Sequence, residues 1–145
     1  MAVDTMNRTG RVASQMTSVA PAAVRQAYRI LHIAFFLAPV IAGLDKFFHV
    51  LTNWDMYLAP RIAVMSPIPA HQLMLIIGVV EIIAAVSVAF WPRIGAWIVC
   101  LWLWAIIINL LIARGFYDIA LRDFGLSLGA IALARLSSWM RTVRA

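Results

Sequence analysis

The stretch LMLIIGVVEIIAAVSVAFWPRIGAWIVCLWLWAIIINLLIA, residues 73–113, decides the fold of this chain. It contains two apolar blocks, residues 73–91 and 94–113, and each is close to the ~20 residues that a helix needs to cross a bilayer. The tight turn Trp91-Pro92-Arg93 joins them, so the two predicted helices are antiparallel neighbours. The whole chain is 64% hydrophobic and only 12% charged, against roughly 25% charged in soluble domains. We therefore predict a membrane protein, and the lack of strand-like alternation argues against a β-barrel.

Two further apolar segments flank this stretch. The first precedes a long loop in which Pro60, Pro67 and Pro69 prevent a continuous helix. The last is weaker, because its uninterrupted apolar part covers only residues 124–134. The sequence predicts an all-α membrane four-helix bundle. Its segments are an N-terminal tail (1–28), a helical domain (29–140) with spans at 30–51, 73–91, 94–113 and 118–140, and a C-terminal tail (141–145).

The distribution of arginines predicts the orientation. The net charge is +6, and basic residues of membrane proteins collect on the cytoplasmic side. A topology with both termini in the cytoplasm, in a bacterial inner membrane, follows this rule and removes the main argument for nucleic-acid binding. It places Arg8, Arg11, Arg25, Arg29, Arg93, Arg135, Arg141 and Arg144 on the inner side, and Arg61 and Arg114 on the outer side.

The N-terminal tail is small, polar and basic, with no apolar core of the kind that a secretory signal requires. We interpret it as a cytoplasmic tail that could form an amphipathic surface helix. Its Arg, Ser and Ala content also fits an organellar transit peptide, which is an alternative interpretation.

Polar residues of all four predicted spans fall at similar depths below the outer boundary. At 1.5 Å per residue, Asp45 lies about 9 Å below it and Glu81 about 12 Å below it. Ionisable groups are costly in hydrocarbon and normally turn inward and pair. Asp45 and His49, four residues apart, are expected on one helix face. We predict one shared polar cluster in the outer half, made of Asp45, Lys46, His49, Glu81, Asn109, Arg122 and Asp123, with Asp118 nearby.

Small residues accompany these charges. Gly78 flanks Glu81, and Gly125 and Gly129 have the spacing that lets helix backbones approach closely. We expect these glycines, together with Gly43, to lie at contacts between helices.

Three motifs carry a resemblance to a known family. Gly43 and Lys46 stand late in the first helix, GVVEIIA covers residues 78–84, and RDFGLSLGAIALARL covers residues 122–136. This pattern resembles the DoxX-like family of small four-helix membrane proteins, over nearly all of the chain outside its tails. The resemblance implies a link to quinone-linked redox systems, such as the membrane part of thiosulfate:quinone oxidoreductase, and it singles out Lys46 and Glu81. His49, Asn109 and the Trp54-Asp55 pair are not part of the family pattern.

The polar cluster has two interpretations. In the first, it is a salt-bridge network that fixes helix register, and the chain is an accessory or structural subunit of a larger redox or respiratory membrane complex. In the second, Asp45, His49 and Glu81 bind a quinone head group and exchange protons with it. Quinone is the cofactor that this second interpretation requires. No phosphate-binding loop or nucleophile arrangement indicates a self-contained enzyme.

The sequence gives little support for a metal. His32 and His49 would lie about 25 Å apart along one helix, so they cannot share an ion. His71 could approach His49, but no characteristic spacing connects them, and two histidines with Asp45 and Glu81 would make a weak zinc site. We expect no metal, and we interpret the single cysteine, Cys100, as a buried, inert thiol.

Overall fold

The computed structural model describes residues 22–143, which form helices and connecting loops with no β-strand in that range. The prediction of an all-α chain is confirmed. Those parts of the predicted tails that cover residues 1–21 and 144–145, with Arg8, Arg11 and Arg144, lie outside the described residues. The α-helices of the described part are α1 (Ala22–Phe48), α2 (Pro60–Met65), α3 (Ala70–Phe90), α4 (Pro92–Ala113) and α5 (Tyr117–Thr142), with a 3-10 turn at Trp54–Tyr57.

Helices α1, α3 and α4 are each long and apolar enough to cross a membrane. Such a set of helices is typical of a multi-pass membrane protein. Helix α5 matches them in length but has a more polar sequence and does not belong to this apolar set.

The four long helices contact one another in a ring: α1 packs on α3, α3 on α4, α4 on α5, and α5 on α1. Between them lies a core of small and branched side chains around Phe35, Val88 and Leu133. We call the end of this assembly that carries residues 49–69 the loop end, and the opposite end, with the turn at Trp91, the turn end. The loop end also holds the α4–α5 connection, because Tyr57 contacts Phe116 there.

Helix α1 differs from its predicted span at both ends. It is helical from Ala22, the first described residue, rather than from residue 30, so residues 22–28 of the predicted tail are helical. It stops at Phe48 rather than at residue 51, because His49 adopts a left-handed backbone conformation (φ 52°). The Asp45 carboxylate then accepts hydrogen bonds from the backbone N–H groups of Val50 and Leu51. Aspartate side chains often replace helical hydrogen bonds in this way.

Glycines permit two very close helix contacts. A Cβ atom on Gly43 would lie 2.7 Å from the Gly78 carbonyl oxygen, and a Cβ atom on Gly78 would lie 2.7 Å from the Gly43 carbonyl oxygen. Helices α1 and α3 therefore touch through their backbones. A Cβ atom on Gly95 would lie 2.3 Å from the Val88 backbone nitrogen, at the turn between α3 and α4.

The glycine pair of α5 behaves differently from the prediction. A Cβ atom on Gly129 would lie 3.1 Å from the ring of Phe35, whereas a Cβ atom on Gly125 would meet no neighbouring group within 4 Å. The expectation that Gly125 lies at a helix contact is wrong. A pair of this spacing brings helices together only when a neighbouring backbone lies over both glycines, and here Gly129 meets a side chain instead.

Candidate functional site

A buried ion pair joins α1 to α3 near the loop end. The Lys46 ammonium lies 2.6 Å from Oε2 of Glu81, and the two side chains are only 3% and 8% exposed. The contact between Gly43 and Gly78 is about one turn away on each helix and brings the two backbones close together. The two residues that the family resemblance singled out are therefore direct partners.

Two tryptophans complete the surroundings of this ion pair. The Trp54 ring lies over the Lys46 ammonium at 3.8 Å from the ring centre, a favourable cation–π arrangement. The Trp102 indole N–H donates to Oε1 of Glu81 at 3.5 Å, and the Lys46 ammonium also donates to the Ala42 carbonyl at 3.4 Å. Sequence reasoning missed both tryptophans, because the polar cluster was predicted from charged, histidine and asparagine side chains alone.

Asp45 is buried but faces the loop rather than Lys46. Its carboxylate accepts from the backbone N–H of Val50 at 2.9 Å and of Leu51 at 3.0 Å. It also accepts from the Trp54 indole N–H at 2.7 Å. Asp45 thus holds the start of the loop in the position that places Trp54 over the ion pair.

Asn109 of α4 holds the next part of the loop. Its amide oxygen accepts from the Ala59 backbone N–H at 2.9 Å, and its amide nitrogen donates to the Tyr57 carbonyl at 2.7 Å. Leu58 and Ala59 are buried as a result. The loop between α1 and α3 is therefore a fixed cover over the ion pair, attached to two different helices.

Asp123 and Arg122 of α5 lie on opposite sides of the boundary between interior and surface. Asp123 is buried and lies near Glu81. The Arg122 side chain is 64% exposed and reaches Asp123 only through its Nε, at 3.2 Å. The prediction that Arg122 belongs to the buried cluster is wrong, because consecutive residues on a helix point about 100° apart.

His49 also lies outside the buried cluster. The prediction that it shares a helix face with Asp45 is wrong, because α1 ends at Phe48 and His49 is exposed. Its ring stacks on His71, with ring centres 5.5 Å apart and planes at 25°. His71 Nδ1 in turn lies 3.0 Å from Oδ2 of Asp55, so these residues form a second, exposed polar group above the cover.

An open groove of about 280 Å³ runs along the surface between α3 and α4. Apart from the Trp102 indole, its walls are aliphatic, and the groove presents no charged side chain of its own. The lining residues are Val80, Ala84, Ile98, Leu101 and Trp102.

The described part of the chain thus defines a multi-pass membrane protein with a closed, internally bonded ion pair beneath a fixed loop. No protein-family model, curated protein or solved structure matches this chain.

Proposed function

We propose that this chain is a small DoxX-like protein of the bacterial inner membrane, with four spans and both termini cytoplasmic. In this proposal it serves as an accessory or structural subunit of a larger redox or respiratory membrane complex. The observation that carries the proposal is the mutual saturation of the Lys46–Glu81 pair. Both carboxylate oxygens have donors, and the ammonium has a carboxylate, a carbonyl and an indole ring as partners.

A site that binds or transforms a substrate needs polar atoms that are free to engage it. The Lys46–Glu81 pair has no polar atom free to bind a ligand, because Trp54 covers the ammonium and Trp102 bonds to the carboxylate. A buried and satisfied ion pair is better suited to fixing how two helices are aligned. This favours a structural role for the cluster over a catalytic one.

The exterior of α1 supports docking within the membrane. Ile33, Leu37 and Ile41 are 45–58% exposed on this helix, and they form an apolar surface suited to lipid or to a neighbouring transmembrane helix. Residues 22–143 contain no extramembrane domain that could carry an electron donor or acceptor.

One observation favours quinone binding as a second candidate function. The groove between α3 and α4 reaches Trp102, whose indole N–H makes only a long hydrogen bond to Glu81. A quinone tail could lie along Ile98 and Leu101, with a ring carbonyl accepting from this N–H. The ligand would then meet Glu81 through Trp102 rather than through Asp45 or His49.

Mild purification from native membranes, followed by mass spectrometry of co-purifying proteins and lipids, tests both candidates. The subunit function predicts a stoichiometric membrane partner that a Lys46→Met/Glu81→Leu double variant retains. The quinone function predicts a stoichiometric quinone that is lost in Trp102→Phe and Glu81→Gln while helix content is unchanged. A monomer without partner or quinone would contradict both.

A further inference from the structure

Three potential metal ligands meet on the exposed side of the loop. His49 follows the end of α1, Asp55 lies in the 3-10 turn, and His71 is in the first turn of α3. One nitrogen of each imidazole and one carboxylate oxygen lie within 4.8 Å of one another. The loop end thus brings together residues from separate segments at a single point that solvent can reach.

The carboxylate of Asp55 is incompletely bonded. Its Oδ2 is next to His71 Nδ1, but its Oδ1 is buried and lacks a hydrogen-bond partner among residues 22–143. Of the buried side-chain nitrogen and oxygen atoms in that range, this is the one without a partner. Buried polar atoms are normally satisfied, and leaving one unbonded is unfavourable. A cation bound by the carboxylate would offset part of this cost through its attraction for the negative charge.

The donor set indicates the class of cation. Imidazole nitrogen together with carboxylate oxygen suits first-row transition metals and zinc, whereas magnesium prefers oxygen donors and water. Zinc ligands lie about 2.0–2.2 Å from the ion, which places tetrahedral ligand atoms about 3.4 Å from one another. Asp55 Oδ2 and His71 Nδ1 are already 3.0 Å apart. Rotation of the exposed His49 and His71 rings can bring the ligand atoms, now within 4.8 Å of one another, to the spacing that the ion requires.

We propose that His49, Asp55 and His71 form a binding site for a divalent transition metal ion, with Zn²⁺ as the representative ion. Three protein ligands leave one position for water, as in open zinc sites. The ion would connect the end of α1, the loop and the start of α3. This departs from the expectation of no metal. That expectation weighed His49 and His71 only together with Asp45 and Glu81, whereas the structure places the Asp55 carboxylate beside the two histidines.

The site is independent of the buried pair. Asp45 and Trp54 hold the loop from below, while His49, Asp55 and His71 lie on its solvent side. The metal would therefore act as an external fastening of a loop that internal hydrogen bonds already position. We expect the ion to raise the thermal stability of the protein, because it binds the folded state.

Isothermal titration of the detergent-solubilised full chain with Zn²⁺ tests the site. The protein is purified with a tag that contains no histidine and is stripped with a chelator beforehand. We expect one Zn²⁺ per chain, and no comparable binding of Mg²⁺. His49→Ala, His71→Ala and Asp55→Asn should each weaken Zn²⁺ binding by more than the roughly 10–100-fold that loss of an outer-shell partner typically causes.

The chain provides a matched control in its third histidine, His32, which bonds to the Val88 carbonyl. His32→Gln keeps a side-chain donor and should bind Zn²⁺ like the wild type. Failure of the folded wild type to bind Zn²⁺, equal binding of Mg²⁺, or unchanged affinity in His49→Ala and His71→Ala would each overturn the proposal. These measurements involve neither a partner protein nor a quinone, so their outcome is separate from that of the proposed function.

Discussion

At the scale of single residues, the Lys46–Glu81 pair shows why a charge can remain inside an apolar protein. Each group alone would be costly to bury, and their attraction offsets that cost only with short distances and additional hydrogen bonds. Here the distance is 2.6 Å, and Trp54 and Trp102 supply the additional contacts. Removing one partner is therefore a different perturbation from removing both.

We predict that Lys46→Met and Glu81→Leu each destabilise the protein by about 3–5 kcal/mol, because each leaves an uncompensated buried charge. The double variant should be closer to the wild type than either single variant, because no isolated charge remains. Unfolding titrations in mixed micelles measure these differences. Single variants that are as stable as the wild type would show that the pair does not hold α1 to α3.

We predict a local effect for Asp45→Asn. The substitution keeps one acceptor oxygen but removes the negative charge that accepts three hydrogen bonds, and hydrogen bonds to a charged acceptor are stronger than those to a neutral one. The loop should open more often, so the amide hydrogens of Val50 and Leu51 should exchange faster. The exposed Asp118, also near the loop end, provides the control, since Asp118→Asn should leave their exchange unchanged. Equal exchange in both variants would contradict the role of Asp45.

The sequence predicted part of this site. Helix geometry and the cost of buried charge were sufficient to group Asp45, Lys46, Glu81 and Asp123 in one layer. The contribution of Trp54 was not predictable, because it depends on the path of a loop that Asp45 itself determines. The same is true of the contact between Asp55 and His71, which requires that loop to return to the start of α3.

At the scale of helices, close backbone contact and mere glycine content have to be distinguished. Gly43 and Gly78 meet across the α1–α3 interface, whereas Gly125 faces open space. In sequence all three are glycines within apolar helices, so spacing alone could not separate them. What separates them is whether a neighbouring backbone passes directly over the glycine.

We predict opposite results for alanine at two of these positions. Gly43→Ala would place a methyl group 2.7 Å from the Gly78 carbonyl oxygen, and such overpacking costs about 1–3 kcal/mol. Gly125→Ala meets nothing within 4 Å and should stabilise α5 by up to about 1 kcal/mol, since alanine favours helix. Melting temperatures of the two variants in the same detergent compare them directly. A destabilised Gly125→Ala would contradict the described exposure of that position.

Helix positions were more predictable than helix ends. Apolar length placed α1, α3 and α4, and Pro92 starts α4 at the position where proline is tolerated. The end of α1 was misplaced, because apolar residues continue through Val50 and Leu51 after the backbone has left the helix. Asp45 marks the end of α1, because its short side chain competes for backbone N–H groups. In the sequence, this role could not be distinguished from that of a buried member of the polar cluster.

At the scale of the whole molecule, the two ends differ in character. The turn end carries Arg93 and Arg141 around a cavity of about 220 Å³ that Tyr28 also lines. The loop end carries the fixed cover and the exposed histidines. In the proposed orientation the arginine-rich turn end faces the cytoplasm, as the positive-inside rule expects.

We predict that the two ends react from opposite sides of the membrane. Cys100 is buried, so a Cys100→Ala background can carry Met65→Cys at the loop end or Thr142→Cys at the end of α5. In intact bacterial cells whose outer membrane is permeable to the reagent, a membrane-impermeant maleimide should label position 65, which is 85% exposed. Position 142 should react only after the inner membrane is opened. The reverse pattern would invert the proposed topology.

The pairing of Lys46 with Glu81 also has a consequence for biogenesis. Helix α1 is synthesised before its acidic partner exists, and charged residues in a lone helix oppose release into lipid by roughly 2.5–3.5 kcal/mol each at the centre of a span. We therefore expect α1 to wait beside the translocation machinery until α3 has been made. The two helices would then enter the bilayer together as a hairpin, with the charges of Lys46 and Glu81 already paired.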